Sequence, residues 1–153
     1  MRAYLSGAIE YAHDHGEAWR NEMTDWLKKH LGHDVFNPAL HGSELTEEER
    51  ANFRKWKVDD YGRFMTTVRK IIDRDLKAIV DEVDYVICYW NEEVIRGAGT
   101  QGELTVAYHL GKRVYMVREM PRGEVSSWIL GCCTKDFENF DQLKGCLEEK
   151  YGG

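Results

Sequence analysis

Apolar residues recur along this chain with two periods, and the period switches repeatedly between strand-like runs and helix-like stripes. Ala3-Tyr4-Leu5-Ser6, ending at Gly7, predicts a first strand. From Glu17 to Leu31 the apolar positions are Trp19, Met23, Trp26, Leu27 and Leu31, the spacing of an amphipathic helix, and Gly32 is placed to end it. Asp34-Val35-Phe36-Asn37 predicts a brief second strand, stopped by Pro38. Leu40 to Tyr61 is polar and charged, and Thr46-Glu47-Glu48-Glu49 within it spells a capping box that opens a short helix. This insert is expected to cover one end of a sheet. A further helix spans Thr66 to Val80, and Tyr85-Val86-Ile87-Cys88-Tyr89-Trp90 is a continuous apolar run of the kind a buried strand shows.

Beyond that run, Leu104, Val106, Ala107 and Leu110 continue a helix that Gly111 can terminate, and Lys112 to Val117 is the next strand. Val125, Trp128, Ile129 and Leu130 mark a short segment between Gly123 and Gly131, and Phe140 to Tyr151 closes the chain as an amphipathic helix. No repeat, low-complexity tract or linker interrupts the alternation. Strands and helices alternate with connections long enough for crossovers. The expected architecture is therefore a single α/β domain over 1–153: a three-layer, doubly wound, flavodoxin/Rossmann-like parallel sheet of about five strands.

Two carboxylates break the pattern. Val68, Ile71, Ile72, Leu76 and Ile79 form the stripe of the Thr66 to Val80 helix, and Asp75 falls inside it. A buried carboxylate needs hydrogen bonds, a counter-charge or a ligand, so Asp75 either pairs with a neighbour such as Arg74 or Lys77 or belongs to a site. Glu103 stands at the end of Arg96-Gly97-Ala98-Gly99-Thr100-Gln101-Gly102-Glu103, where a buried strand runs through a glycine-rich loop into a helix. Open α/β sheets place ligands at such junctions. Two readings compete. Thr100-Gln101-Gly102-Glu103 is itself a capping box, in which Glu103 folds back onto the Thr100 backbone. Alternatively Glu103 is a nucleophile, its charged form favoured by the helix terminus.

Gly97-x-Gly99-x-x-Gly102 also matches the dinucleotide fingerprint, but that motif follows a first strand and needs an acidic residue about 20 positions later, where only Glu119 stands. No Gly-Lys-Ser/Thr follows to make a P-loop. What the loop offers is backbone N–H groups of Gly97 and Gly99 for an anion or a sugar, with Arg96 alongside.

Composition narrows the partners. At 153 residues and 42% hydrophobic content the chain can bury a substantial core. A net charge of -6 argues against a clamp for long nucleic acid, while a small anion needs only local positive charge. The N-terminal apolar run is too short for a signal peptide, and no segment approaches the roughly 20 apolar residues of a membrane span. A soluble, cytoplasmic protein is expected. Cys88, Cys132, Cys133 and Cys146 lack C-x-x-C spacing and read as core filler.

Tyr4-Leu5-Ser6-Gly7, then Asp75-Leu76, then Gly99-Thr100-x-x-Glu103 with Ala107 and Gly111-Lys112-Arg113-Val114 resembles the nucleoside 2-deoxyribosyltransferase family. The resemblance runs in order across nearly the whole chain and includes the related 2′-deoxynucleoside 5′-monophosphate N-hydrolases. It implies cleavage of an N-glycosidic bond, with Glu103 as the nucleophile that forms a covalent glycosyl intermediate. It implies that Asp75 helps hold sugar and nucleophile, and that Tyr4, Ser6 and Gly7 line the pocket floor. Neither a cofactor nor a metal is implied, and a homodimer or higher homo-oligomer sharing its sites is. Transferases of the family carry an aspartate just before the Gly-Ser/Thr, where it handles the base. This chain reads Ile95-Arg96-Gly97-Ala98 there, so base recognition is expected to differ.

Gly123-Glu124-Val125-Ser126-Ser127-Trp128 resembles the segment that gives the N-hydrolases a serine for the 5′-phosphate of a neighbouring subunit's substrate, so Ser126 or Ser127 is a phosphate candidate, with Arg96 adding charge. Ser126 reads equally well as an N-cap. Tyr4, Tyr11, Trp56, Tyr61 and Trp90 are available to stack on a base, or to fill the core. The alternative from another class is a non-catalytic module that binds a nucleotide in the same cleft.

Overall fold

The computed structural model describes residues 1–153 and contains one sheet of five parallel strands. These are β1 (Arg2–Gly7), β2 (Asp34–Phe36), β3 (Tyr85–Trp90), β4 (Arg113–Arg118) and β5 (Lys135–Phe137), in the order β2-β1-β3-β4-β5. This is the flavodoxin-like order, in which winding reverses between β1 and β3. Register aligns Tyr4 with Phe36 on one side and Val86 on the other, and Val86 with Val114.

Side chains alternate across the pleat, so each strand feeds two cores. Tyr4, Val86, Cys88, Val114 and Met116 enter one, and Ala3, Leu5, Tyr85, Ile87, Tyr115 and Val117 the other. Helices α1 (Glu17–Leu31) and α6 (Phe140–Tyr151) cover the second face with Met23, Leu27, Leu143 and Leu147. The first face is covered by α4 (Gly99–His109), α5 (Ser127–Cys132) and a wide π-type turn, Ala78–Glu82, that extends α3 (Tyr61–Lys77). Burial on both faces is why the central strands read as unbroken apolar runs. Gly32 and Gly111 close α1 and α4 in the left-handed region, at φ 63° and 71°.

The insert forms α2 (Glu47–Asp59), opened by the expected capping box: Glu49 N–H donates to Thr46 Oγ1 at 3.1 Å and Thr46 N–H to Glu49 Oε1 at 3.2 Å. Asp60 then ends α2 and caps α3, accepting from Arg63 N–H at 3.2 Å. The third helix consequently begins at Tyr61 rather than at Thr66. Its first turn exposes Tyr61, so no apolar stripe announces it. The sequence also gives no position for β5, a three-residue edge strand paired only with β4, of which Phe137 alone is buried. Three residues are too few to show a period. Cys88 and Cys132 are buried, Cys133 and Cys146 half-buried, and all four are free. No helix is long and apolar enough to cross a membrane.

Core and cap contribute unequally. Ile87→Ala, in the fully buried centre of β3, is expected to cost about 2–5 kcal/mol, against about 1 kcal/mol for Thr46→Ala, as urea unfolding would measure.

Candidate active site

The site lies where β1 and β3 end and the chain leaves them towards opposite faces. Ser6, buried at the end of β1, donates from Oγ to Glu103 Oε2 at 2.7 Å. Tyr4 is wholly buried below it. Its hydroxyl has no partner in good hydrogen-bond geometry, and burial, then the charges of Glu103 and Asp75, push its pKa well up.

Glu103 reaches Ser6 because α4 begins earlier than a Thr100 cap would have it. Ala98 occupies the N-cap with no capping side chain, Gly99 opens the helix and Thr100 is buried inside it. The Thr100–Glu103 capping box therefore does not form, and Glu103 is free to turn inward. Burial is the largest influence on its carboxyl and raises it from 4.5 to about 7; the Ser6 hydrogen bond opposes the rise and the Asp75 charge adds to it. The expected preference for the charged form at a helix terminus is thus outweighed by desolvation.

Asp75 meets both readings the sequence allowed: it pairs with Arg74 and it faces the site. Arg74 Nε and Nη2 both donate to Asp75 Oδ1, at 2.8 and 2.6 Å, while Oδ2 has no partner in the protein. Burial lifts the Asp75 pKa to about 6 against the pull of Arg74. The same guanidinium gathers the insert, donating to Pro38 O at 2.7 Å, Leu40 O at 2.7 Å and Glu44 Oε1 at 2.6 Å.

A second arginine, this one wholly buried, fixes the opposite wall. Arg20 of α1 donates from Nε to Leu5 O (3.2 Å), from Nη2 to Gly7 O (2.9 Å) and from Nη1 to Gly16 O (3.1 Å) and Ala8 O (3.2 Å). Burial draws its pKa down to about 10, which leaves it a cation at neutral pH. A Cβ on Gly16 would collide with this guanidinium. Sequence reasoning missed Arg20, although a signal existed: Arg20, Met23 and Leu27 are spaced i, i+3, i+7 and form the buried stripe of α1.

Between these walls opens a cavity of about 510 Å³. Glu103, Asp75, Gly7, Gly97, Gly99 and Thr100 border it, α3 adds Val68, Ile71 and Ile72, and the insert adds Pro38, His41, Phe53 and Arg54. Arg96 is exposed, its guanidinium 4.3 Å from the ring centre of Tyr11, which does line the cavity. Of the other aromatics named, Tyr4, Trp56 and Trp90 are core and Tyr61 is exposed. Ser126 and Ser127 are exposed at the start of α5, and Ser126 borders a separate hollow with Trp90, Thr105 and Trp128. Ser126 occupies the N-cap position but makes no capping hydrogen bond. Within one chain neither serine reaches the Glu103 cavity. No three His, Cys, Asp or Glu side chains converge to hold a metal ion.

No protein-family model matches the sequence, and no curated protein matches it. Solved structures do share its fold. The 2-deoxyribosyltransferase of Bacillus psychrosaccharolyticus superposes with a TM-score of 0.63 at 17% identity, over 94% of this chain and 90% of that one. The 2-deoxyribosyltransferase of Leishmania mexicana gives 0.58 at 19% identity, over 97% of each chain. The CMP N-glycosidase of Clostridium botulinum gives 0.56 at 15% identity, over 98% of this chain and 99% of that one. The overall architecture is therefore the one these enzymes use.

Burial of Glu103 has a measurable cost. The carboxyl ionises near 4.5 when unfolded and near 7 when folded, so the folded state holds its proton more tightly and stability falls as pH rises between those values. Glu103→Gln is expected to gain stability over wild type at about pH 8 relative to about pH 5, in chemical denaturation. An equal difference at both would contradict the burial of a titrating carboxyl.

Proposed function

We propose that this chain is an N-glycosidic-bond enzyme that acts on a (deoxy)nucleoside, and preferentially on its 5′-monophosphate, through a covalent glycosyl-Glu103 intermediate, and passes the sugar to water or to a second base. The observation that carries the reading is the Glu103 carboxylate, held by Ser6 and open to the same cavity as Asp75. The fold shared with two deoxyribosyltransferases and a CMP N-glycosidase supports it.

The chemistry suits these groups. Departure of the base builds oxocarbenium character at C1′, which an adjacent carboxylate stabilises and then captures as an ester. A poorly solvated carboxylate is a strong nucleophile once ionised, and a pKa near 7 leaves a substantial ionised fraction at neutral pH. Ser6 fixes Oε2, so Oε1 is the oxygen offered to C1′. Asp75 presents Oδ2 to a sugar hydroxyl, its other oxygen being occupied by Arg74. The backbone of Gly97, Gly99 and Thr100 borders the sugar.

The 5′-phosphate completes the reading across a homodimer. Ser126 and Ser127 are exposed and lie outside their own chain's cavity, as groups serving a second copy would be. The hollow that Ser126 borders also carries Ile95 and Trp128, both exposed, Trp128 at 68%, an apolar surface suited to a subunit interface.

Two predictions test this reading. Wild-type protein given a panel of nucleosides and monophosphates is expected to release free base, with kcat/KM rising as pH increases through about 7, and to show a sugar-mass adduct on Glu103. Glu103→Gln is expected to lose at least about 10³-fold, and Asp75→Asn about 10²-fold or more. Binding without base release would favour the nucleotide-sensing module instead, and a second free base in the reaction separates transfer from hydrolysis. Trp128→Glu is expected to yield monomers in analytical ultracentrifugation and, like Ser126→Ala or Ser127→Ala, to weaken the preference for monophosphates. An unchanged preference in all three would remove the case for a shared phosphate site.

A further inference from the structure

The ionic groups that border the cavity are, with one exception, already answered within the chain. Glu10 is bound to Lys57 at 2.6 Å, Glu93 to His13 at 2.9 Å and Asp75 to Arg74 at 2.6 Å, and Glu103 takes its hydrogen bond from Ser6. The exception is Arg54 of α2. It is the only lysine or arginine that borders the cavity. Its half-buried side chain makes no ion pair and no hydrogen bond, and its guanidinium rests on the Phe53 ring, 4.8 Å from the ring centre. His41 meets the same ring edge-on at 6.1 Å. Burial and the charges of Arg74 and Arg54 lower the His41 pKa against the pull of Glu44, so the imidazole adds no second cation to this wall at neutral pH.

The wall that carries Arg54 lies across the cavity from the nucleophile. Helix α2 packs on α3, whereas α4, which carries Glu103, packs on the sheet and on α5. Displacement at C1′ puts the attacking carboxylate and the departing base on opposite sides of that carbon. With the sugar held at Glu103 and Asp75, the base therefore lies towards the insert, against Pro38, Phe53 and Ile72. Those side chains give it an apolar seat but no hydrogen bond. A guanidinium supplies what they lack: it is a planar fork of N–H donors without an acceptor, permanently charged, and it pairs best with two acceptors side by side.

We propose that Arg54 is the residue that selects the base: its fork donates to an exocyclic oxygen and to the ring nitrogen nearest it. The inference rests on the N-glycosidase reading and adds the base to it. Guanine and hypoxanthine present such a pair as O6 and N7, and cytosine presents one as O2 and N3. Adenine turns an amino group towards the fork beside N7, and uracil carries a hydrogen on N3, so each sets a donor against a donor. Oxo-purines and cytosine are then the accepted class, and adenine and uracil the rejected one.

The test is a ratio taken within one ring type. Base release is measured from the 2′-deoxynucleoside 5′-monophosphates of hypoxanthine and adenine, and of cytosine and uracil, with wild type, Arg54→Gln and Arg54→Lys. Wild type is expected to favour the first of each pair in kcat/KM by at least about tenfold, in whichever ring it releases. Arg54→Gln, whose amide offers one donor and one acceptor, is expected to lower that ratio at least about tenfold, and Arg54→Lys, which keeps the charge without the fork, to lower it less. A ratio that stays put in Arg54→Gln, or that Arg54→Lys retains in full, would overturn the inference. So would a loss confined to the monophosphate when the same variants are given the nucleoside and the monophosphate of one base, since that places Arg54 on the phosphate. If wild type releases no base at all, the N-glycosidase reading itself falls and this assignment with it.

Discussion

A single hydrogen bond, Ser6 Oγ to Glu103 Oε2, ties the end of the first strand to the fourth helix across 97 residues of sequence. It depends on a parallel sheet whose winding reverses between β1 and β3, because only there do strands leave towards opposite faces and open a crevice between their carboxyl ends. The bond also bears on the state of the carboxylate. Burial raises the Glu103 pKa, and the Ser6 hydrogen bond is the largest influence that opposes the rise, with the charge of Arg20 acting in the same direction.

Two arginines, Arg20 buried and Arg74 half-buried, hold the crevice in shape by different means. Arg20 is bound by four backbone carbonyls and no carboxylate, so it fixes the loop after β1 while its charge stays available to favour ionised Glu103. Arg74 instead divides itself among Asp75, Glu44 and the carbonyls of Pro38 and Leu40. The insert thus has no sheet of its own to pack in: α2 rests on α3 with Phe53 and Trp56 buried and Glu49 accepting from Thr67 and Lys70, while Arg74 ties down the stretch from Pro38 to Glu44.

How much of this was legible in the sequence follows from which residues carry periodic signals. The central strands and the helices around them were readable because both faces of the sheet are buried and the apolar runs are long. Asp75 was readable as a site candidate because a carboxylate within an apolar stripe contradicts its surroundings. Arg20 gave the same contradiction and went unread, since a long basic side chain on a helix usually lies along the surface. Glu103 was located but its local geometry was not: Thr100-x-x-Glu103 satisfies a capping pattern, and only tertiary packing shows that the helix begins two residues earlier. β5 and the start of α3 were too short or too exposed to register. The link from Arg74 to His41 spans 33 residues and has no periodic trace at all.

The charge balance of the crevice bears on why such a site would act on a sugar. Arg20 and Arg74 draw the Asp75 pKa down and Arg20 draws that of Glu103 down, while Glu44 pushes Asp75 up and Asp75 pushes Glu103 up. Burial is the largest reason both carboxyls are raised, so in the resting protein a proton supplies the counter-charge that solvent would otherwise give. In the proposed reaction the cationic character that grows at C1′ supplies it instead. A proton on either carboxylate and an oxocarbenium-like sugar are then alternative answers to one electrostatic demand, and the site binds the second more tightly as the base leaves. The cost of burying these carboxylates is, on this view, the same energy that favours the transition state.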